Sequence, residues 1–200
     1  MPTTKPFSQA CENNKLPILE VISQVFTKPT TVWEIGSGTG QHACFFASQL
    51  PHLSWQATDR IENLAGIKAW IKEANLPNLK SPLALDINDT TWPCQSIDAL
   101  FSANTLHIMS MAEVEMLFER LSHYLSPNAL ACFYGPFNYL GQFTSESNAR
   151  FDQWLKARNP LSGIRDFEYI CHLAADIGLT LLNDHAMPAN NRLLVFQKLL

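Results

Sequence analysis

Residues 33–42 read WEIGSGTGQH, and this stretch decides which fold the chain adopts. It carries three glycines at alternate positions, directly after the short apolar run TVWEI at residues 31–35. The run QHACFFASQL at residues 41–50 follows the glycines and ends before Pro51. An apolar run, a glycine loop and a helical segment in succession are typical of the first strand, turn and helix of an α/β sheet. The stretch therefore predicts a strand that ends at a ligand-binding loop.

Strand-like and helix-like segments continue to alternate along the chain. Further strand-like runs lie at residues 53–59, 81–86, 97–104, 129–137, 179–187 and 192–200, and helical patterns lie at residues 16–26, 61–76, 111–125 and 167–178. This alternation predicts a parallel sheet with helices on both faces. Only a short turn containing PANN separates the last two strands, so those two must be antiparallel. We expect an α/β, doubly wound, Rossmann-like fold whose mostly parallel seven-stranded sheet has its last strand antiparallel.

The length and the apolar content of the chain limit the possible architectures. A chain of 200 residues is expected to form one domain, 1–200, with an N-terminal helical arm at about 1–28 and a lid-like insertion at about 138–166. No run of about 18 apolar residues occurs, so no membrane span is expected. The N-terminus has no apolar segment of the secretory type, so we expect a cytoplasmic protein.

Charge and cysteine content exclude further classes of function. The net charge is −4 and the basic residues are dispersed, so no nucleic-acid partner is expected. The five cysteines are scattered without a C-x-x-C pair, which indicates neither a disulfide framework nor a metal site. We therefore expect a small-molecule substrate. The sequence does not determine the oligomeric state.

The glycine loop matches neither of two common phosphate-binding patterns. A P-loop requires a lysine after its last glycine, and none follows. The dinucleotide pattern G-x-G-x-x-G requires a glycine where this chain has Gln41. The loop is instead G-x-G-x-G, with Glu34 two residues before Gly36. A carboxylate there would repel a pyrophosphate but attract an ammonium group or ribose hydroxyls, which favours S-adenosylmethionine (SAM) over a plain strand-to-helix turn.

Acidic residues at the ends of the next two strands support the same ligand. Asp59 ends the second strand at about the distance from Gly36 expected for an acid on ribose hydroxyls, although it also fits a helix N-cap. Asp86 ends the third strand, where it can accept from the adenine amine while Ile87 packs on the ring. Asp86 or Asp89 also fits a loop cap. We predict SAM as the cofactor and S-adenosylhomocysteine as its product. The predicted cofactor contacts come from Glu34, Gly36, Ser37, Gly38, Gly40, Gln41, His42, Asp59, Arg60, Asp86, Ile87 and Asn104.

The sequence resembles class I SAM-dependent methyltransferases and, more narrowly, the methyltransferase-like 26 family (domain of unknown function 938) over nearly the whole chain. The resemblance rests on NKLPIL (14–19), WEIGSGTGQH (33–42), LDIND (85–89), SANTLHI (102–108), YGPFNYLGQFTSESNARFDQWLKARNP (134–160), GIRDFEY (163–169) and MPANNRLLVF (187–196). The glycine motif is widely shared, whereas the long central run and MPANN are specific. The resemblance implies the methyltransferase fold and its cofactor, but it does not supply a substrate.

Polar residues after the fourth and fifth strands are candidates for the chemistry. His107 is a candidate general base, because the unperturbed pKa of a histidine lies near neutrality, but a lone histidine of this kind also fits a loop hydrogen bond. Glu168 is a second candidate catalytic residue. We predict substrate contacts from Tyr134, Phe137, Asn138, Phe143, Arg165, Asn190 and Asn191. Arg165 also fits a structural ion pair with Asp166, and MPANN also fits a simple turn.

Two functions are consistent with these residues. We expect a methyltransferase that acts on an O, N or S nucleophile of a small molecule, with His107 or Glu168 assisting deprotonation. The alternative is a SAM-binding sensor or partner subunit without methyltransferase activity. The polar and aromatic residues of the predicted lid at about 138–166 favour the methyltransferase over the binding protein without activity. A nicotinamide oxidoreductase is disfavoured by Gln41 and by the lack of a separate substrate domain.

Overall fold

The computed structural model describes residues 5–28 and 30–199. Its helices are α1 (Gln9–Val25), α2 (Gln41–Gln49), α3 (Leu64–Ala74), α4 (Met111–Tyr124), α5 (Glu146–Arg158) and α6 (Phe167–Asp176). Its strands are β1 (Thr31–Ile35), β2 (Ser54–Asp59), β3 (Leu83–Ala84), β4 (Ile97–Ala103), β5 (Leu125–Gly135), β6 (Phe137–Asn138), β7 (Arg165–Asp166), β8 (Leu179–Met187) and β9 (Asn191–Lys198). Short 3₁₀ helices lie at Ile61–Asn63 and Pro188–Asn190.

Seven of the strands form one mixed sheet in the order β3-β2-β1-β4-β5-β9-β8. β1 pairs in parallel with β2 on one side and with β4 on the other, and β2 pairs in parallel with β3. β9 pairs antiparallel with both β5 and β8. The expected mostly parallel sheet of seven strands with an antiparallel last strand is therefore confirmed. Because the strand order reverses at β1, the carboxyl end of β1 is the position where doubly wound sheets bind ligands.

The described residues divide into two compact units, one ending at Ser102 and one beginning at Ala103. The first unit has a buried aromatic cluster of Phe46, Trp55 and Phe101, with centroid distances from Phe46 of 5.4 and 5.3 Å. The second unit has a buried cluster of Phe118, Phe133 and Phe196, with centroid distances from Phe133 of 5.5 and 6.1 Å. Each unit therefore has its own core, and the expectation of a single domain over 1–200 stays a prediction.

Helix α1 begins well before the helix predicted over residues 16–26. The Ser8 hydroxyl caps its start by accepting a hydrogen bond from the Cys11 backbone N–H at 3.4 Å. Pro17 lies inside α1 and does not end it. Because a proline normally marks a helix boundary, Pro17 obscured the earlier start of α1 in the sequence.

The segment at 138–166, which we expected to be a lid-like insertion, contains regular secondary structure. It contains α5, whose start is capped by the Ser145 hydroxyl, which accepts from the Asn148 backbone N–H at 3.1 Å. The flanking strands β6 and β7 pair in parallel, with Phe137 opposite Arg165. Apolar periodicity did not predict α5, because polar residues dominate this helix. The segment is thus an ordered helix beside a two-stranded sheet, and its action as a lid stays a prediction.

Candidate functional site

The glycine loop lies between the carboxyl end of β1 and the start of α2. Its three glycines, Gly36, Gly38 and Gly40, have φ angles of 74°, 57° and 87°. These angles lie in the left-handed region, where glycine has no steric penalty. The N–H groups of Gly36 and Ser37 both donate to the Thr58 carbonyl, at 3.1 and 3.0 Å. The loop is therefore folded back onto the end of β2.

Two of these glycines serve different purposes. A Cβ atom at Gly40 would lie 3.1 Å from the Cα atom of Ile67 in α3, so glycine allows the loop and α3 to pack closely. A Cβ atom at Gly38 would meet no atom within 4 Å. The backbone at Gly38 therefore faces open space that a ligand can enter.

Asp59 connects the glycine loop with the segment before α3. One carboxylate oxygen accepts from the Gly38 N–H at 2.6 Å. The other accepts from the Arg60 N–H at 2.8 Å and from the Asn63 side-chain amide at 2.7 Å. The N-cap position of α3 is occupied by Asn63, so Asp59 is not the N-cap of that helix. A carboxylate accepts about four hydrogen bonds, so with these three donors among the described residues capacity remains for a ligand hydroxyl.

Asp86 and Ile87 lie just beyond β3. The Asp86 carboxylate accepts from the Asn88 backbone N–H at 2.9 Å and from the Asn88 side-chain amide at 2.8 Å. These bonds close a local turn of the kind that aspartate favours, as the loop-cap alternative expected. The Leu85 N–H donates to the Asp59 carbonyl at 2.9 Å, so the turn begins beside Asp59. Contacts of Asp86 and Ile87 with an adenine stay a prediction.

Glu34 is a buried carboxylic acid on β1. It is 1% exposed, and its carboxylate accepts from the indole N–H of Trp55 at 2.9 Å. Burial raises the pKa of Glu34 to about 7, and the negative charge of Asp59 adds to this shift. Glu34 thus lies in the core behind the loop, and its predicted contact with the cofactor stays a prediction.

Gln41 and His42 begin α2, and both side chains bind α1. The Gln41 side-chain carbonyl accepts from the Ser8 N–H at 2.6 Å, and its amide donates to the Glu12 carboxylate at 2.8 Å. His42 Nε2 lies 2.7 Å from the Asn14 side-chain oxygen. Burial lowers the pKa of His42 to about 4, so the ring is neutral at neutral pH. Both residues anchor the N-terminal helix, and their cofactor contacts stay a prediction.

The remaining predicted cofactor residues have different surroundings. The Ser37 hydroxyl accepts from the Thr58 N–H at 3.2 Å. Arg60 is exposed and forms a surface ion pair. Asn104, in the second unit, has a φ angle of 58° and donates its backbone N–H to the Tyr134 carbonyl at 2.8 Å. Contacts of these three residues with the cofactor stay predictions.

His107 belongs to the second unit and is 5% exposed. Its ring lies edge-on to Phe151, with centroids 5.3 Å apart, and a Cβ atom at Gly135 would lie 3.5 Å from His107 Nδ1. Burial and the positive charge of Arg165 lower the pKa of His107 to about 4. The imidazole is therefore neutral at neutral pH, which is the form that a general base requires.

Arg165 lies in β7 and is 8% exposed. Its guanidinium donates to three backbone carbonyls, those of Leu106 (3.0 Å), Leu161 (3.1 Å) and Met109. An ion pair with Asp166 does not occur among the described side chains. Arg165 instead holds the segment that carries His107, and a substrate contact by Arg165 stays a prediction.

Glu168 lies in the first turn of α6. Both of its carboxylate oxygens lie 3.1 Å from the Leu140 backbone nitrogen, which donates to them. Glu168 also lines an open surface groove together with Leu140, Gly141, Asp166, Tyr169 and His172. Glu168 therefore holds the turn that carries Leu140, and its role as a base stays a prediction.

Four predicted substrate residues lie around the start of the 138–166 segment. Tyr134 and Phe137 are buried, whereas Phe143 is exposed. The Asn138 side-chain amide donates to the Ile164 carbonyl at 3.5 Å. Two of these four side chains therefore belong to the core, and substrate contacts from all four stay predictions.

The MPANN segment forms a turn that is bound to the start of α5. The Asn190 side chain donates to the Ser147 hydroxyl at 3.2 Å, and the Asn190 carbonyl accepts from the Asn148 side chain at 3.1 Å. The Asn191 side chain donates to the Pro188 carbonyl at 3.1 Å. These bonds agree with the turn alternative, and substrate contacts from Asn190 and Asn191 stay predictions.

No group of three metal-binding side chains occurs within 5–28 and 30–199. In the part of the chain that the structure describes, no helix is long and apolar enough to cross a membrane. The free cysteines are Cys11, Cys44, Cys94, Cys132 and Cys171.

Comparison with known proteins identifies the family. A family model described as a protein of unknown function (DUF938) matches residues 5–198. The chain belongs to the DUF938 family. Because the match spans both compact units, the glycine loop and the His107 segment are both family sequence.

Several solved structures share the fold of this DUF938 chain. An O-methyltransferase family protein from Burkholderia thailandensis is 16% identical, with a TM-score of 0.81 over 92% of this chain and 56% of that one. The SAM-dependent methyltransferase SibL is 20% identical, with a TM-score of 0.80 over 96% and 56%. An O-methyltransferase family 2 protein from Planctomyces limnophilus, solved with apigenin, is 14% identical, with a TM-score of 0.80 over 95% and 58%. These identities show the fold alone, and the DUF938 chain spans a little over half the length of these relatives.

Two features beside the glycine loop of the DUF938 chain were missed from the sequence. The first is the packing of Pro6 on α3, where a Cβ atom at Gly66 would lie 2.6 Å from the proline ring. Gly66 itself was the signal, because an isolated glycine in a helical pattern often marks close packing. The second is the binding of α1 by Gln41 and His42, for which the sequence carries no signal.

Proposed function

We propose that this DUF938 chain is a SAM-dependent methyltransferase that methylates an O, N or S nucleophile of a small molecule. The observation that carries the proposal is the loop after β1, where three glycines in the left-handed region lie beside Asp59 and Gly38 faces open space. This arrangement fits a ligand that contains a ribose, because Asp59 has capacity for a hydroxyl and the loop backbone can be approached closely. When bound, SAM supplies an activated methyl group on its sulfonium.

The structural relatives support this proposal. The Burkholderia thailandensis protein and SibL are described as methyltransferases, and the Planctomyces limnophilus protein was solved with apigenin. These relatives are distant and longer than this chain. We therefore propose their general activity, methyl transfer, for this chain, but we do not assign it any of their substrates. Within DUF938 we also propose membership in the methyltransferase-like 26 group, on the specific runs at 134–160 and 187–196.

The methyl acceptor has to lose a proton, and we propose His107 as the group that accepts it. Burial and the positive charge of Arg165 lower the pKa of His107 to about 4, so the imidazole is neutral at neutral pH and has a free lone pair, but it is a weaker base than an ordinary histidine. Arg165 holds the segment that carries His107 through its bonds to backbone carbonyls. Glu168 remains the second candidate for this role.

A second candidate function is a SAM-binding sensor or partner subunit without methyltransferase activity. The burial of His107, which is 5% exposed, favours this alternative, because a base must reach its substrate. Turnover separates the two functions. Conversion of SAM to S-adenosylhomocysteine with any member of a panel of small-molecule acceptors supports the enzyme, whereas SAM binding without conversion supports the sensor.

Replacing Gly38 with alanine tests the cofactor part of the proposal. The new Cβ atom would enter the open space beside the loop, so we expect SAM binding to weaken at least about ten-fold, or roughly 1.4 kcal/mol. Isothermal titration of SAM into the folded variant measures this change.

Gly141→Ala is the matched control for Gly38→Ala. Gly141 has a φ angle of 70°, and a Cβ atom there also meets no atom within 4 Å. Both substitutions therefore carry the same left-handed backbone cost of about 1–2 kcal/mol in stability. Only Gly38→Ala should change the SAM affinity, and equal affinity in both variants and the wild type would show that Gly38 does not face the cofactor.

A further inference from the structure

The first described residues, 5–12, form a segment that we call the N-terminal strap. It packs on α3, where a Cβ atom at Gly66 would come within 2.6 Å of the Pro6 ring. The indole N–H of Trp70 donates to the Pro6 carbonyl at 2.7 Å. The Lys5 ammonium lies 3.6 Å from the centroid of the Trp70 ring. The strap therefore has a closely fitted position on α3.

The strap also binds the start of α2 through the buried side chain of Gln41. The Gln41 side-chain oxygen accepts from the Ser8 N–H at 2.6 Å and from the Thr39 hydroxyl at 3.0 Å. The Gln41 amide nitrogen donates to the Ser8 carbonyl at 3.3 Å and to the Glu12 carboxylate at 2.8 Å. Both acceptor positions and both N–H groups of the amide are used. Gln41 is thus held between the strap and Thr39 of the glycine loop.

The two elements that the strap contacts, the start of α2 and α3, adjoin the glycine loop of the proposed cofactor site. Thr39 lies within the glycine loop, next to Gly40, which packs against Ile67 of α3. The segment that leads into α3 is joined to Asp59 through the Asn63 side chain at 2.7 Å. The strap therefore contacts both elements of this packing, the start of α2 and α3, and its docking supports the conformation of the glycine loop.

We propose that docking of the N-terminal strap positions the glycine loop for SAM, with Gln41 as the positioning residue. This inference rests on the proposed SAM-binding function. If the docked form binds SAM better, SAM must favour docking by the same factor, because coupling between two equilibria is reciprocal. Undocking the strap then weakens SAM binding without removing any atom from the cofactor site.

Gly66→Ala tests the inference without changing the loop or Asp59. The added Cβ atom displaces Pro6, while alanine raises the helix propensity of α3. We expect SAM affinity, measured by isothermal titration, to fall about five-fold or more. In hydrogen-exchange mass spectrometry, the backbone amides of residues 7–12 should exchange faster than in the wild type. Gly66→Leu is the stronger form of the same change, in which a small shift of Pro6 cannot relieve the clash.

The double variant Pro6→Ala/Gly66→Ala is the matched control. Loss of the proline ring removes the two nearest atoms, and the next Pro6 atom lies 3.8 Å from the position of the new Cβ atom. We expect the double variant to regain the wild-type SAM affinity to within about two-fold.

The outcomes separate this inference from the function on which it rests. Weaker SAM binding by Gly66→Ala, with recovery in the double variant, supports the inference. Wild-type affinity in both Gly66→Ala and Gly66→Leu overturns it, and so does a double variant that binds as weakly as Gly66→Ala. If the wild type itself binds no SAM, the proposed function is wrong and the inference fails with it.

Discussion

Replacing Arg165 with methionine is expected to lower the free energy of unfolding by about 3 kcal/mol. The guanidinium donates to three backbone carbonyls, and methionine, which has a similar length, donates to none of them. A carbonyl that loses its donor in the interior costs about 1–3 kcal/mol, partly offset by local rearrangement. Equilibrium urea unfolding of the wild type and the variant measures the difference.

Arg158→Met is the matched control, because Arg158 is an exposed residue at the end of α5. Its guanidinium carbon lies 4.6 Å from the centroid of the Trp154 ring. We expect its loss of stability to stay below about 1 kcal/mol. Arg165→Lys should fall between the two, since lysine keeps the charge but not the planar fork of donors. A loss below about 1 kcal/mol in Arg165→Met would contradict the structural role and favour the predicted substrate contact.

The substitution Glu34→Gln is expected to remove one component of the pH dependence of stability. In the folded protein the pKa of Glu34 is raised from 4.5 to about 7, so between these values the folded state holds a proton that the unfolded state has released. The stabilisation is therefore present below pH 4.5 and is lost as the pH rises through about 7. A shift of this size corresponds to about 3 kcal/mol.

Glutamine keeps an acceptor for the indole N–H of Trp55 and does not titrate. Relative to the wild type, Glu34→Gln should therefore gain about 3 kcal/mol between pH 4.5 and pH 8 in urea unfolding. His42 and His107 each have a pKa lowered to about 4 in the folded protein. The stability that they contribute is therefore lost as the pH falls from 6.5 towards 4. Because the wild type and Glu34→Gln both contain these histidines, the histidine contribution cancels in the difference between their free energies of unfolding.

Glu119→Gln, at an exposed position of α4, is the control for the loss of a carboxylate. Its stability relative to the wild type should be the same at both pH values. A constant difference for Glu34→Gln would show that Glu34 stays ionised in the folded protein, against the effect of its burial beside Asp59.

The sheet could be predicted because its strand-like runs alternate with helical patterns and are bounded by glycine, proline or polar turn residues. TVWEI (31–35) and LTLLNDHAM (179–187) coincide with β1 and β8. The predicted ends of the helices were less accurate, because the change from a 3₁₀ turn to an α-helix has no clear mark in the sequence. The helix predicted over 61–76 begins with a 3₁₀ turn at Ile61–Asn63, and α3 follows it. Helix α5 was missed because its polar composition gives no apolar periodicity.

The candidate site was predictable where the backbone forms it and unpredictable where long-range side-chain contacts form it. The left-handed glycines of the loop follow from their spacing in the sequence. Gln41 and His42, in contrast, bind α1 through partners that lie far away along the chain. Arg165 binds backbone carbonyls, which every residue possesses and which therefore leave no mark in the sequence.

Isothermal titration of the wild-type protein with SAM tests the central claim most directly, with S-adenosylhomocysteine and NADH as comparison ligands. The glycine loop, Asp59 and the open space at Gly38 predict that SAM and S-adenosylhomocysteine bind with one site per chain and that NADH does not. A well-folded protein that binds no SAM, or that binds NADH in preference to SAM, would contradict the assignment of this loop to a methyl donor.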